Sequence, residues 1–348
     1  MSFRRHRGRV ILTAIALTSA ALLLASCSVA SSGNGDAPES STLTNAESVD
    51  FREVVPGSGD GIKIGYISLS EAVPFIKLVS DSIKEQVKLA GAELVFCDSQ
   101  GDAAKALDCA KSMKTQGVQG YLNFQADAAA AASICAAGPD VPVIAIDIEQ
   151  QPCQVAFAGA NNGAAGFLVG EEIGNYFKDT FNCEYDSFVS LEQPEAGAVN
   201  TARMGGVRDG FASVCGEVEN LRELNAFRID MAQKTFADTL TALPGQDKII
   251  VVGINDDSVL GALAAAKTAG REGDIYMGAQ GADPSSWCEI KNNPNWIADA
   301  GYFPERYGEI AVPYLLDTIS GKDVPKLLYV PHIAITGKNI SDHYDVSC

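Results

Sequence analysis

From residue 62 onward, short apolar runs alternate with helical segments, and they do so twice over. IKIGYIS (62–68), ELVFC (93–97), VQGYLNF (118–124) and VPVIAID (141–147) are near-continuous apolar, β-branched runs of strand length. Between them lie PFIKLVSDSIKEQVKLAG (74–91), DAAKALDCAKSMKTQG (102–117) and an alanine-rich helix from Ala126. Pro74 suits a first helical turn and Gly91 a helix end. A second set follows: QVAFAGA (154–160), GAAGFLVGEEIGNYFKD (163–179), DSFVSLE (186–192), NTARMGGVRDGFASV (200–214), a weaker strand near 219–224, MAQKTFADTLTAL (231–243), KIIVVGI (248–254), DSVLGALAAAKTAG (257–270) and IYMGA (275–279). DPSSW (283–287) predicts a short helix with Asp283 as N-cap and Pro284 as first helical residue. Apolar strands separated by helices require a parallel sheet covered on both faces. Two such sets predict an α/β chain of two doubly wound parallel-sheet lobes.

The rest of the chain bounds its setting. An arginine-rich start leads into the apolar run VILTAIALTSAALLLA (10–25), as in a secretory signal. That run ends in Leu24-Ala25-Ser26-Cys27, which resembles the lipobox of bacterial lipoproteins; the bland alternative is a plain signal with an incidental cysteine. The lipobox reading makes 1–26 a cleaved peptide, Cys27 the lipid attachment point and the chain a lipoprotein on the outer face of the cytoplasmic membrane. Residues 27–61 open with a Ser-, Gly- and Asn-rich stretch and are expected to be a flexible tether. Removing 1–26 discards four arginines and no acid, taking the net charge from −18 to −22. So acidic a body argues against nucleic-acid partners.

Eight cysteines remain beyond Cys27. An even number in an exported chain predicts disulfides, and sequence neighbourhood pairs them as Cys97/Cys109, Cys135/Cys153, Cys183/Cys215 and Cys288/Cys348. No CxxC spacing accompanies them, and only His332 and His343 lie beyond the signal, so no metal and no cofactor is expected.

Open α/β sheets bind ligands beyond the carboxyl ends of their strands. The polar and aromatic residues there include 71–75, Asp98, Gln125, 147–149, Asn161-Asn162, 192–193, 255–257, Gln280 and Tyr302. There is no GxSxG elbow, no phosphate loop and no histidine beside a candidate nucleophile, so catalysis is not expected. A second pocket carboxylate acting with Asp147 on a glycoside is left open. GANNGAAG (159–166) lacks the dinucleotide fingerprint, and its glycines suit close helix–strand packing.

Over 62–336 the chain resembles the type I periplasmic binding proteins, in the ribose- and galactose-binding branch of ABC-transporter solute receptors. The resemblance is carried by 73–102, VPVIAID, AGANNGAAGFLVGEEI (158–173), NTARMGGV (200–207), INDDSVLGAL (254–263) and HIAIT (332–336). It implies three crossover segments, a first lobe of 62–158 plus 303–329, and a second of 159–302 plus 330–348. It further implies a monomer that closes on a sugar-like molecule and presents it to membrane permease subunits. A nucleoside-binding or signalling receptor of the same fold remains the alternative. Position by position, Phe75 matches a ring-stacking aromatic, Asp147 a carboxylate that accepts from hydroxyls, Arg203 a donor from the second lobe, and Asn255 a strand-end amide. Gln280 stands where the family has aspartate, and Tyr302 where it has a hinge glutamine. The bland alternatives are a core Phe75, a solvated Arg203 and an Asn255 that only caps its helix. Val73, Ile148 and Ile229, with Phe227 nearby, replace polar or aromatic family residues. That loss of polar groups points away from ribose or glucose, toward a polyol, deoxy-sugar, cyclitol or less polar molecule.

Overall fold

The computed structural model describes residues 48–125 and 127–348. Cys27, the signal and most of the tether lie outside the described residues. Elements are numbered in chain order. The first sheet contains β1 (Lys63–Ser68), β2 (Glu93–Asp98), β3 (Gly120–Asn123), β4 (Val143–Ile146), β5 (Gln154–Gly159) and β11 (Leu327–Tyr329). The second contains β6 (Ser187–Glu192), β7 (Leu221–Asn225), β8 (Ile249–Gly253), β9 (Ile275–Gly281), β10 (Trp296–Gly301) and β12 (Ile333–Ile335). The orders are β11-β5-β4-β3-β1-β2 and β12-β10-β9-β8-β6-β7. Every pairing is parallel except β10 with β12. The chain therefore passes between sheets three times: after β5, after β10 and after β11.

Helices α1 (Pro74–Leu89), α2 (Ala103–Gln116), α3 (Ala131–Ala137) and α9 (Gly308–Ile319) serve the first sheet. Helices α4 (Asn162–Phe181), α5 (Ala198–Cys215), α6 (Ile229–Thr241), α7 (Asp256–Ala269), α8 (Trp287–Asn292) and α10 (Ile340–His343) serve the second. Each sheet is covered on both faces, which is why its strands read as apolar runs. Along β1, Ile64 and Tyr66 join the core under α1 and α9, while Ile67 joins the core under α2. Along β8, Ile249 and Val251 face α6 and α7, and Ile250 and Val252 face α4 and α5. The weaker strand is the exposed edge strand β7, whose short apolar content follows from having only one neighbour. Among the described residues no helix is long and apolar enough to cross a membrane.

Three local expectations change. Residues 48–61, assigned to the tether, lie along the folded body. The Val49 N–H donates to the Tyr329 carbonyl at 2.9 Å, and the Arg52 N–H to that of Glu309 at 3.0 Å. Val54 is buried, Phe51 meets Phe303 edge-on at 6.0 Å, and the Arg52 guanidinium pairs with Asp317. Asp283 does not cap α8: its carboxylate accepts the Ser285 N–H at 2.9 Å in a tight turn, and the helix begins at Trp287. Gly163 and Gly166 of GANNGAAG serve helix–helix rather than helix–strand packing. A Cβ on Gly166 would lie 2.0 Å from the Arg203 carbonyl oxygen, and one on Gly170 1.9 Å from that of Val207. Reciprocally, a Cβ on Gly210 would lie 2.1 Å from the Phe167 carbonyl oxygen. Helices α4 and α5 thus touch backbone to backbone.

Four disulfides pair Cys97–Cys109, Cys135–Cys153, Cys183–Cys215 and Cys288–Cys348. The last fixes the C-terminal residues to α8, beside the stacked rings of Trp287 and Tyr344 at 4.7 Å.

Candidate functional site

The strand ends of the two sheets meet across the crossovers. Asp147 follows β4 with a left-handed φ of 53°, a turn by which the chain leaves the sheet and turns the carboxylate toward the crossovers. Its Oδ1 accepts the Tyr307 hydroxyl at 3.1 Å and the Ala160 N–H at 3.2 Å. A Cβ on Gly159 would come within 2.4 Å of that oxygen, so only glycine fits beside it. Burial pushes the Asp147 carboxyl up to about 6, against the pull of Tyr307, the Ala160 amide and the Arg203 charge. Among the described residues only Oδ1 is engaged, which leaves Oδ2 to accept.

Arg203 approaches from the second lobe. Its Nε and Nη2 both donate to Asn162 Oδ1, at 2.9 and 2.7 Å, and Nη1 donates to the Ile254 carbonyl at 2.9 Å. The guanidinium also lies 5.1 Å from the centre of the Tyr302 ring. Three of its five N–H groups are used this way, and two remain. Asn162 is the first residue of α4 and Arg203 lies in α5, so the glycine-mediated contact of those helices sets the pair.

Phe75, in the first turn of α1, is half-buried and touches the cores of both lobes. Its ring meets Tyr302 at 6.4 Å and Tyr307 at 6.0 Å, edge-on in both cases. Five of the six residues singled out in the sequence, all but Asn255, therefore lie in one connected group, but not as equals. Tyr302 is only 3 % exposed and donates to Gln280 Oε1 at 3.3 Å; Gln280 is 1 % exposed and reaches the Met204 sulfur. These two form the floor behind Arg203. Asn255 caps α7 through the Ser258 N–H at 3.0 Å, and its Nδ2 donates to the Phe227 carbonyl at 3.1 Å. Its amide is largely consumed in holding the β7–α6 loop to the start of α7.

Three participants lie outside the six residues carried over from the family, and only Asn162 was marked, as one of the strand-end set. Asn162 and Tyr307 orient Arg203 and Asp147. His332 lies in the third crossover: its Nε2 accepts the Asn161 N–H at 3.0 Å and its ring meets Tyr302 at a tilt, 4.8 Å between centres. Because a backbone N–H can only donate, the ring proton is assigned to Nδ1, which donates to the Gly301 carbonyl at 3.0 Å. Burial holds the ring neutral, down to about 4. Position at strand ends marked Asn162 in advance; nothing local marks Tyr307 or His332. At the rim, Val73 (43 % exposed) and Ile229 (44 % exposed) present apolar surface, and Ile148 is half-buried. Among the described residues no group of three or more His, Cys, Asp or Glu has metal-binding geometry.

Two parallel-sheet lobes, three crossovers and a polar strand-end group between them define a two-lobed α/β receptor architecture. The chain belongs to the periplasmic binding protein domain family, whose model matches residues 64–323. The fold is similar to an ABC-transporter solute-binding protein from Mycobacterium smegmatis with bound glycerol, at 22% identity and TM-score 0.70, covering 82% of this chain and 98% of that one. It is also similar to a Bacillus halodurans C-125 solute-binding protein with bound myo-inositol, at 20% identity, TM-score 0.68 and the same coverages. A third similar structure is a periplasmic ribose ABC transporter protein from Conexibacter woesei, at 19% identity, TM-score 0.71 and coverages of 82% and 95%. No curated protein sequence matches the chain.

Proposed function

We propose that this protein is an extracytoplasmic solute-binding lipoprotein of an ABC importer, taking a sugar-like small molecule between its lobes. The single observation that carries the proposal is the facing of Asp147 and Arg203 from opposite lobes, each with hydrogen-bonding atoms to spare. A carboxylate oxygen and two guanidinium N–H groups suit hydroxyls, which both donate and accept. Phe75 adds an aromatic edge for the C–H surface of a ring or polyol. Val73, Ile148 and Ile229 favour a ligand with one apolar edge, such as a deoxy-sugar or cyclitol, over a fully hydroxylated hexose. The similar structures with glycerol and myo-inositol support the same class. A ligand touching both lobes favours the closed arrangement by its differential affinity, and the closed form is what a permease receives. LASC (24–27) supports lipid attachment at Cys27.

The nucleoside reading loses ground, because it needs a second exposed ring face. Tyr302 is buried between Arg203 and His332 and offers none.

Thermal-shift screening of the mature chain against sugars, polyols, cyclitols and nucleosides tests the proposal. Stabilisation follows RT ln(1 + [L]/Kd), about 4 kcal/mol at a thousandfold excess over Kd. A panel in which no compound moves the melting temperature, or turnover of a glycoside by the pure protein, overturns it.

A further inference from the structure

Behind the second lobe's rim lie two buried carboxyl groups. Asp256 is the first residue of α7, directly after Asn255, and is 1 % exposed; Asp299 lies within β10 and is 0 % exposed. Each uses Oδ1 for the loop that follows β9. Asp256 Oδ1 accepts the Asp283 N–H at 3.3 Å and the Ser286 hydroxyl, and Asp299 Oδ1 accepts the Ala282 N–H at 3.0 Å. The loop needs these anchors, since Gly281 and Ala282 both hold positive φ, 144° and 51°. Gly281 is also tied to the pair by space: a Cβ there would lie 2.3 Å from Asp256 Oδ2.

The other oxygen of Asp299 meets no ordinary donor among the described residues, although it is fully buried. The group beside it is the Asp256 carboxyl. Carboxylates only accept, so two of them buried side by side need a proton between them. Burial pushes Asp256 up to about 7 and Asp299 well above the carboxylate range, and each charge raises the other. The remaining titratable groups facing the pair do not neutralise it. Asp283 on the loop adds repulsion and also raises Asp257 on α7; Tyr302 at the end of β10 and Tyr344 after α10 stay neutral, pushed up themselves by burial.

We propose that Asp299 is a positioning residue for the second lobe's ligand rim: the proton it shares with Asp256 ties the start of α7, and so Asn255, to the 281–286 loop that follows Gln280. Loss of that proton leaves two adjacent buried carboxylates, which separate and release the loop. The rim is therefore ordered in acid and at neutrality and loosens in base. The ligand-binding consequence rests on the functional reading above; the proton and the loop do not.

The test uses the mature disulfide-bonded chain. In ¹³C-aspartate-labelled protein, Asp256 and Asp299 titrate as a coupled pair raised above the ordinary carboxylate range, and exchange protection of the Ala282 and Asp283 amides falls in base, as the pair loses its last proton. Asp299→Asn keeps an acceptor for Ala282 and a permanent donor for Asp256. It lowers the Asp256 midpoint relative to wild type, by removing the neighbouring charge, and keeps the amides protected at high pH. Asp299→Ala, which lacks the donor, loses protection at every pH. In a melting series with myo-inositol and D-ribose as probes, wild type loses its ligand-induced shift with rising pH and Asp299→Asn retains it. A chain that responds to neither probe counts against the functional reading and leaves the titration and exchange results to decide the proposal. Two carboxylates already ionised at pH 6, or an Asp299→Asn protein with the wild-type pH profile, overturn it.

Discussion

His332 Nε2 accepts the Asn161 N–H at 3.0 Å, although the two residues are 171 positions apart in the chain. Asn161 belongs to the first crossover and His332 to the third, and the same ring donates to Gly301 at the end of β10, where the second begins. One neutral imidazole thus ties together all three strands of the hinge.

Protonating that ring turns its acceptor into a donor facing another donor. Its folded pKa is depressed to about 4 from an ordinary 6.5, so the unfolded chain binds the extra proton first. The stability held by His332 is complete above about 6.5 and is lost as pH falls toward 4. His332→Ala is expected to lower stability by roughly 1–3 kcal/mol at pH 7, from the buried partners left unpaired, and to flatten this acid limb. Thermal melts of both proteins between pH 4 and 7 provide the check.

Asp147 has the opposite sign. Its folded pKa is raised to about 6, so the folded chain holds a proton that the unfolded one has released, and its contribution falls as pH rises from about 4 to 6. Ligand affinity moves the other way, because the ionised carboxylate is the stronger acceptor. Binding is expected to tighten as pH rises through about 6. Asp147→Asn should bind more weakly and lose that dependence. Calorimetric titration of any compound that scores in the thermal screen, repeated from pH 5 to 8, measures both.

Gly166→Ala tests how the second lobe presents Arg203. The new methyl carbon would start 2.0 Å from the Arg203 carbonyl oxygen, so α4 and α5 must part. The expected cost is about 1–3 kcal/mol, as for overpacked cores, with a disproportionate loss of ligand response because Asn162 and Arg203 separate. Denaturant melts give the first quantity and ligand-induced shifts the second. A neutral substitution would show that the helices do not meet through glycine.

Cys288→Ser with Cys348→Ser removes the link that closes a sequence separation of 60 residues. Loss of that constraint on the unfolded chain should cost about 2–4 kcal/mol. Ligand response should persist once the protein is folded, since among the described residues no hydrogen bond joins α8 or the C-terminal residues to Asp147 or Arg203. Urea melts and the thermal screen on the double variant separate the two effects.

Much of this was legible before any coordinates. Runs such as VPVIAID and KIIVVGI encode burial on both faces, and burial on both faces in strands alternating with helices leaves few architectures. The same logic marks strand ends, which is how Asp147, Asn255 and Gln280 come to notice. It also suggests the cysteine pairs, because three of the four couples join an element to one nearby in sequence.

What the linear chain could not disclose is which of those polar groups still have hydrogen bonds to give. Asn255 and Gln280 sit where a ligand residue should, yet one is occupied by Ser258 and Phe227 and the other is covered by Tyr302 and Met204. Arg203 keeps two donors only because Asn162 and Ile254 take the other three. Tyr307 and His332 enter from 160 and 171 positions away and leave no local pattern. Periodicity is a short-range property, set by which side of a strand or helix meets apolar neighbours, so the sequence determined the two sheets and the positions of their ends. Hydrogen-bond saturation and the protonation of buried groups depend on every segment that converges on them. Three crossings of the chain between the lobes decided those, and with them the chemistry of the site.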